Sequence, residues 1–484
     1  MPSPTLKAML ESKKTLSNKA KQRAASHQGS RANSRRNSPA SSRTASVAPS
    51  DVEDESVDGS SVGDVFDRDY SQYRYVFCLI LISSVRALMI CRDDATESDE
   101  PGETPLRKAL NDLTDKKHNR VDRRERALIS YIAYLTSQFV EDELDVSEVL
   151  PILAKSIKAD TENEAKLGLK ALSVTSINTQ DPQIYNSMRM SVESVIKHAD
   201  APSVKAAGIH CLGAITFWSG GIDEILAQMA FFMEIVTTDG DSVDAFDNAL
   251  VVTAAMEEWG FLATEIDDME EFSEDAVDAF ADQLESNAPS VQIAAGENIA
   301  LLYEKSYNQE DVEEMDSAEY RRLRHLSPEE MPGEERYSAY HNKGRIIQLM
   351  EGIAHVSGRG IKKSDKRSLH SNFASILATV ETPTCGPSYN QTIDPLTNQV
   401  RGSYKTVKVD DEYAVRTDKW WKTLRLAAYK RVLGGGFKNH FTDGNPAVVD
   451  YLPVEEAVKG RTEKRGKRNG FSRGFEDDEG DYGI

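Results

Sequence analysis

Two stretches decide the fold: APSVKAAGIHCLGAI at 201–215 and APSVQIAAGENIALL at 288–302. Each opens on Ala-Pro-Ser-Val, passes through small residues and ends in large aliphatics. Val291 follows Val204 by 87 positions, about twice the ~40–47-residue period of a HEAT or armadillo helix pair. Pro202 and Pro289 fit the first turn of a helix, where the missing N–H costs nothing. Asp200 and Asn287 precede them as turn residues. Ala206-Ala207-Gly208 and Ala294-Ala295-Gly296 are small, so neighbouring helices can approach to the close end of the ~8–10 Å range. A stacked helical repeat is chiefly a binding surface, so the echo argues against an enzyme.

Working outward, apolar residues recur at helical spacing from Thr104. Leu106, Leu110 and Leu113 begin one face, and Ala127, Leu128, Tyr131, Ile132 and Leu135 the next. Val149, Leu150, Leu153 and Ile157 follow, then Ala165, Leu169, Leu172 and Ile177, then Ile184, Met188, Val192, Val195 and Ile196. Between the two copies, residues 222–236, 243–262 and 272–284 supply three more helices. Second helices of each pair then start near 121, 161, 201, 244 and 288, which gives five pairs, enough to bury a continuous core by stacking.

The texture changes after Tyr307. Residues 310–336 are highly charged, with Pro328 and Pro332, and read as a surface helix and loop. Ile346, Ile347, Met350 and Ile353 restore a helical face, and 366–381 form another helix, ended by Pro383. Residues 390–409 carry strand-type residues around Asp394-Pro395 and Asn398 and read as a small hairpin or extended segment. A helix over 415–433 holds Trp420 and Trp421, which cannot both face one core side, and Gly434–Gly436 ends it. A short helix begins at Phe437. The fold class expected is all-α: a disordered tail over 1–98, a HEAT/armadillo-like solenoid over 99–355, a small C-terminal α region with a β-hairpin over 356–453, and a basic-then-acidic tail over 454–484.

Charge is strongly segregated. The chain has 484 residues, 39% of them hydrophobic, and a net charge of −21. Residues 1–50 hold ten Lys/Arg against Glu11 alone. An acidic run follows from Asp51 to Asp69. Residues 1–71 cannot bury enough apolar surface to offset their ordering entropy, so they read as disordered. Within them, Arg35-Arg36-Asn37-Ser38-Pro39 and Arg43-Thr44-Ala45-Ser46 make Ser38 and Ser46 candidate phosphorylation sites, with an unmodified tail as the alternative. From Ala206 to Glu304 there is no Lys or Arg. That stretch cannot lie against RNA phosphates and is expected to face solvent or a basic protein. The tail turns basic again at Lys459, Arg461, Lys464, Arg465, Lys467 and Arg468. Such a tail suits RNA, with affinity falling steeply with salt; a nuclear-import signal and a merely solvated tail stay open.

Tyr75–Cys91, YVFCLILISSVRALMIC, is short for the ~20 apolar residues of a membrane span, and Arg86 interrupts it. Three readings stand: a retained intron, a buried or amphipathic segment, and a membrane anchor. The first rests on codons that permit GTATGT at Tyr75-Val76, CTAATG at Leu88-Met89 and TGCAGG at Cys91-Arg92. The four cysteines show no metal or redox spacing, which suits a reducing compartment. The N-terminus has no apolar run for a secretory signal. His210 and Cys211 are adjacent in a helix, point to different faces and read as buried packing. Met229–Met233 with Phe231 and Phe232 reads as core. Val356–Ser364 lacks phosphate-loop spacing. No metal and no cofactor is expected.

Four segments resemble the interferon-related developmental regulator family: VQIAAGENIALLYE (291–304), KKSDKRSLHSNFASILATVE (362–381), YKRVLGGGFKNHF (429–441) with the helix around Trp420, and PAVVDYLP (446–453). Their order and spacing agree over roughly 104–453. The resemblance implies a HEAT/armadillo-like fold without catalytic activity. Family members are described as transcriptional co-regulators acting through histone-deacetylase complexes. At least one animal member binds translationally inactive ribosomes and places a C-terminal helix in the mRNA channel; here 446–467 is the matching region. The expectation is a cytoplasmic regulator of translation whose partners are rRNA and ribosomal proteins, with no small-molecule substrate and no membrane. The alternative is a nuclear co-regulator that scaffolds histone-deacetylase-type co-repressor proteins. Candidate RNA-contacting residues are Lys366, Arg367 and Lys438, besides the six tail cations.

Overall fold

The computed structural model describes residues 104–114, 120–140, 144–309, 333–355, 362–393, 400–403, 406–409 and 413–456. They form an all-α repeat solenoid. Five pairs of helices follow one another: α1 (Pro105–Thr114) with α2 (Val121–Ser137), α3 (Val146–Ile157) with α4 (Glu162–Thr179), α5 (Pro182–His198) with α6 (Pro202–Ser219), α7 (Ile222–Thr237) with α8 (Ala249–Ala263), and α9 (Glu270–Leu284) with α10 (Pro289–Lys305). A sixth pair joins α11 (Lys343–Ala354) to α12 (Lys363–Glu381). Second helices pack on second helices, so α2, α4, α6, α8, α10 and α12 form one continuous layer.

Capping chemistry sets the register. Asp145 and Asp181 accept the N–H groups of Ser147 and Gln183, the usual N-cap role of Asp. Pro182, Pro202 and Pro289 open their helices. The two APSV copies thus start the equivalent helices α6 and α10. Gly208 and Gly296 allow the close approach their composition suggested. A Cβ there would come within 2.8 Å of Ile196 Cγ1 and 2.9 Å of Ile376 Cδ1 respectively.

Four of the five expected second-helix starts fall within one residue of the observed ones. The exception is the helix expected over 243–262, which begins at Ala249. The intervening DGDSVDAFDN turns sharply instead. Asp239, Gly240, Asp244 and Asp247 all have positive φ, a conformation that Gly adopts freely and Asp tolerates better than most. Asn248 then caps α8 by accepting the N–H groups of Leu250 and Val251. Lys205 of α6 ties the insert down, donating to the carbonyls of Ile196 and Val243.

The second helices are buried on nearly all sides. α8 hides Val251–Met256 and then Glu258–Ala263, and α6 hides Cys211–Ser219. A helix that is apolar all round needs cover on every side. The first helices cover one side and the C-terminal elements cover the other.

Those elements begin with short antiparallel strands. β1 (Tyr307–Gln309) pairs with β2 (Gly333–Glu335), and β3 (Tyr389–Ile393) pairs with β4 (Val400–Ser403) in the region read as a hairpin. β6 (Tyr413–Arg416) sits between β5 (Thr406–Lys408) and β7 (Glu455–Glu456). The helix expected over 415–433 therefore starts later, at Trp420, because Val415 and Arg416 pair with Val407 and Thr406 of β5. It is α13 (Trp420–Leu433), followed by a 3-10 turn at Gly434–Gly436, α14 (Phe437–Thr442) and α15 (Pro446–Val449). Among the described residues no helix is long and apolar enough to cross a membrane. Residues 1–98 with Ser38 and Ser46, the 75–91 run, the charged segment 310–332 and the basic tail lie outside the described residues.

Gly434 ends α13 with φ +57°. Gly436 is needed for a different reason: a Cβ there would overlap the Thr136 carbonyl oxygen of α2. Gly436→Ala should lower stability by about 1–3 kcal/mol, the usual cost of overpacking. Gly435→Ala, which faces open space, should leave the unfolding free energy nearly unchanged. Denaturant melts followed by circular dichroism check both.

Candidate functional site

α13 lies across the second-helix layer. It touches α10, α8, α4 and α2 in turn, and its Tyr429 packs on Trp218 of α6. It therefore runs back along the array, against chain order. The first N–H and last C=O groups of a helix have no partner within it, and here both ends of α13 are buried against the array. Lys419, the residue before α13, provides no side-chain cap. Glu304, near the end of α10, supplies it from outside: its carboxyl oxygens accept the N–H groups of Trp420 at 2.7 Å and Trp421 at 3.2 Å. At the other end Lys170 of α4 donates to the carbonyls of Arg431 and Val432, both at 2.6 Å. An acidic group at the N-terminus and a basic group at the C-terminus is the arrangement the helix dipole favours.

Burial works against both groups. It pushes the Glu304 carboxyl above the ordinary range, while the Lys419 charge and the two N–H donors pull the other way. Burial also brings Lys170 down to about 7, with the nearby Arg431 charge adding to the shift. Lys305, one residue after Glu304, is brought down to about 8 by burial and donates to the carbonyls of Thr264 and Ile266 at the end of α8.

Between its ends α13 is held by arginines. Arg425 donates to Thr264 Oγ1 at 2.9 Å and to the Tyr451 carbonyl at 2.8 Å, and pairs with Glu265. Its guanidinium lies 4.9 Å from the Trp421 ring centre and 5.5 Å from that of Phe217. Arg431 pairs with Glu257 at 3.1 Å and with Glu258. His210 of α6 completes this cluster, with Nδ1 2.8 Å from Glu258 Oε1. His210 is thus a member of a half-buried ionic cluster, whereas the adjacent Cys211 is buried as expected. The cation-free stretch had two expected neighbours, solvent or a basic protein. Seven of its acids have a third one within the chain: Glu257, Glu258 and Glu265 on the arginines of α13, Glu304 on the amides of Trp420 and Trp421, Glu274 on His341, and Asp278 and Asp282 on Arg345.

The two tryptophans divide as their adjacency requires. Trp420 is buried and its indole N–H donates to Thr379 of α12 at 2.7 Å. Trp421 is half-buried beneath Arg425 and Lys422. Met229, Phe232 and Met233 are core, and Phe231 is half-buried under Lys197.

Beyond α13 the chain doubles back. The His440 ring meets the Leu135 carbonyl at 2.9 Å, Asn439 donates to Ser137 O and Asn445 to Ile177 O. Tyr429 donates to the Ala447 carbonyl, and Ala447, Val448 and Leu452 are buried. The first part of the segment matched to a channel-entering helix is therefore packed into the fold. β7 follows, and Lys459 comes three positions after it.

The candidate basic residues do not gather. Lys366 (half-buried) and Arg367 (exposed) stand on α12, against α10 and α11, at one end of the array. Lys438 is exposed on α14, against α2, at the other end. Lys459, Arg461, Lys464, Arg465, Lys467 and Arg468 lie outside the described residues. Sequence reasoning missed Glu304, Lys170, Arg425 and Arg431. The available signal was an aromatic-rich helix carrying arginines, downstream of a long stretch without any cation.

Lys170 gives a pH test. Its folded pKa, about 7, lies below the ordinary 10.5. Between those values the unfolded chain binds more protons, so stability rises with pH, by at most about 1.4 kcal/mol per unit. Below about pH 7 that gain is absent. Wild type should therefore gain on Lys170→Met as pH rises from 7 to 9 in urea titrations. A pH-independent difference would mean that Lys170 stays charged in the fold.

A model of the interferon-related developmental regulator family matches residues 82–381. The match begins inside the apolar 75–91 run and ends with α12, so α13 and the later elements lie beyond it. An uncharacterized protein of Schizosaccharomyces pombe is 22% identical over 345 residues, covering 69% of this chain and 71% of that protein. With most of the array inside the matched region, the chain belongs to the interferon-related developmental regulator family.

Proposed function

We propose that this protein is a non-catalytic, ribosome-associated regulator of translation in the cytoplasm, binding idle ribosomes through the helical array and its basic C-terminal segment. Separation of charge along the sequence carries this reading. The array bears a stretch of 99 residues, Ala206–Glu304, without Lys or Arg, which RNA phosphates would repel. Six cations cluster between Lys459 and Arg468, just beyond a strand anchored to the fold. RNA contact then belongs to the tail, with Lys438 at one end of the array and Lys366 and Arg367 at the other as separate contacts. Exposed acids of the array suit basic ribosomal proteins. Family membership supports the same reading. A tail lying in an RNA channel would exclude mRNA or tRNA by occupancy, so inhibition needs no bond-making chemistry.

Sedimentation of lysate through sucrose gradients tests this. Full-length protein is compared with a chain ending at Glu456, which keeps β7 paired with β6. Co-migration with 80S particles should fall several-fold on truncation. It should also weaken as salt rises, as expected when phosphate contacts release counterions. Absence from every ribosomal fraction, with enrichment in nuclei, would favour a co-regulator that scaffolds histone-deacetylase-type complexes.

A further inference from the structure

The turn that joins α7 to α8 borders a cavity. Asp239, Asp244 and Asp247 take φ of 51°, 52° and 53° there, a conformation unfavourable for residues other than Gly. The Asp247 N–H donates to the Asp239 carbonyl at 2.8 Å, and the Ala245 N–H to that of Gly240 at 2.9 Å. The turn closed in this way sets Asp239 and Asp247 in the wall of a pocket of about 270 Å³. Val252 of α8, Gln283 of α9, Ser286 and Val291 of α10 line it too.

Gln283 gives the pocket its chemistry. It is 3% exposed. Its amide nitrogen donates twice, to the Val236 carbonyl at 3.0 Å and to Asp239 Oδ1 at 2.7 Å. Those two bonds use both N–H groups and fix which way the amide is turned. The oxygen is the polar atom left to the pocket, and no donor meets it among the described residues. A buried acceptor without a donor is costly, so the site calls for a donor from outside.

Size and charge narrow the choice. Small-molecule pockets run from about 300 Å³ upward, so this one suits a side chain rather than a nucleotide. No lining residue is a cation, and two of the acceptors are carboxyl groups. Val252 and Val291 add an apolar wall that suits methylenes. Arginine combines an apolar stem with five N–H donors in a planar fork and no acceptor. Lysine offers a compact, strongly hydrated charge with three donors. Phe246, next to Asp247 in the turn, is 47% exposed and gives the chain that carries the arginine an apolar contact.

We propose that this pocket receives an arginine side chain from a basic partner protein, its guanidinium donating to Gln283 Oε1 and to the carboxylates of Asp239 and Asp247. On the reading proposed above, ribosomal proteins supply such arginines.

Titration of the full-length chain with N-acetyl-arginine N-methylamide, followed by amide-resolved NMR, tests the pocket. The Gln283 side-chain amide and the Asp247 and Asn248 backbone amides should shift together, with a Kd in the millimolar range expected for one side chain. The citrulline analogue keeps the shape and loses the charge. It and the lysine analogue should bind about tenfold more weakly, the loss expected for one charge-assisted hydrogen bond. Asp247→Asn keeps the turn, since Asn adopts positive φ as readily as Asp, and should raise Kd by a similar factor. Ala249→Leu, which fills the pocket, should abolish binding. Circular dichroism should stay native in both variants. The proposal is overturned if those amides do not shift, if the arginine, citrulline and lysine probes bind alike, or if either variant binds as wild type does. The titration contains no ribosomes, so its failure leaves the tail-based reading standing, and loss of that reading through the Glu456 truncation leaves the pocket standing.

Discussion

The structure depends on α13 being gripped at both ends by the array it lies on. A helix of 14 residues leaves its first amides and last carbonyls without partners of their own. Burying them without acceptors and donors would cost several kcal/mol. Glu304 from α10 and Lys170 from α4, three helices apart along the layer, supply the partners. These two residues lie 134 positions apart in sequence and meet the ends of one helix. The second helices can be apolar all round because α13 and the returning chain cover them. In an ordinary repeat array that layer would be open to a partner. Here the chain provides its own.

This arrangement changes the meaning of the acidic stretch. Glu257, Glu258 and Glu265 are spent on Arg431 and Arg425, and Glu304 on the amides of Trp420 and Trp421. The acids left facing outward are concentrated on the first-helix side, along α9. Paired buried charges add little net stability when compared with apolar residues of the same shape, but breaking one partner away is costly. The arginines of α13 therefore fix its position more than they add to stability. Function follows from the division. The layer that repeat proteins commonly use for binding is filled, so among the described residues the acidic first-helix side stays open to solvent.

Much of the fold was legible because its signals are local. The spacing of APSV copies gave the pair period, and Asp181-Pro182 and Pro289 marked helix starts by chemistry that acts within one turn. The misplaced start of α8 came from four departures to positive φ in DGDSVDAFDN, where Val243, Ala245 and Phe246 mimic a helical face. The late start of α13 came from pairing of Tyr413–Arg416 with strands on both sides, one of them contributed by Glu455–Glu456. Neither long-range event leaves a periodic trace. The same holds for the site. Lys170 looks like any lysine on an amphipathic helix, and nothing in its neighbourhood of the sequence names the carbonyls of Arg431 and Val432. Charge segregation was visible, but its intramolecular half was not.

The central claim is that α13 and the array form one cooperative unit. Native-state hydrogen exchange on the full-length chain measures this directly. The amides of Trp420–Leu433 should exchange only with those of α4, α8 and α10, at the free energy of global unfolding. If α13 exchanges orders of magnitude faster while those helices stay protected, the helix is a detachable appendage and the account is wrong.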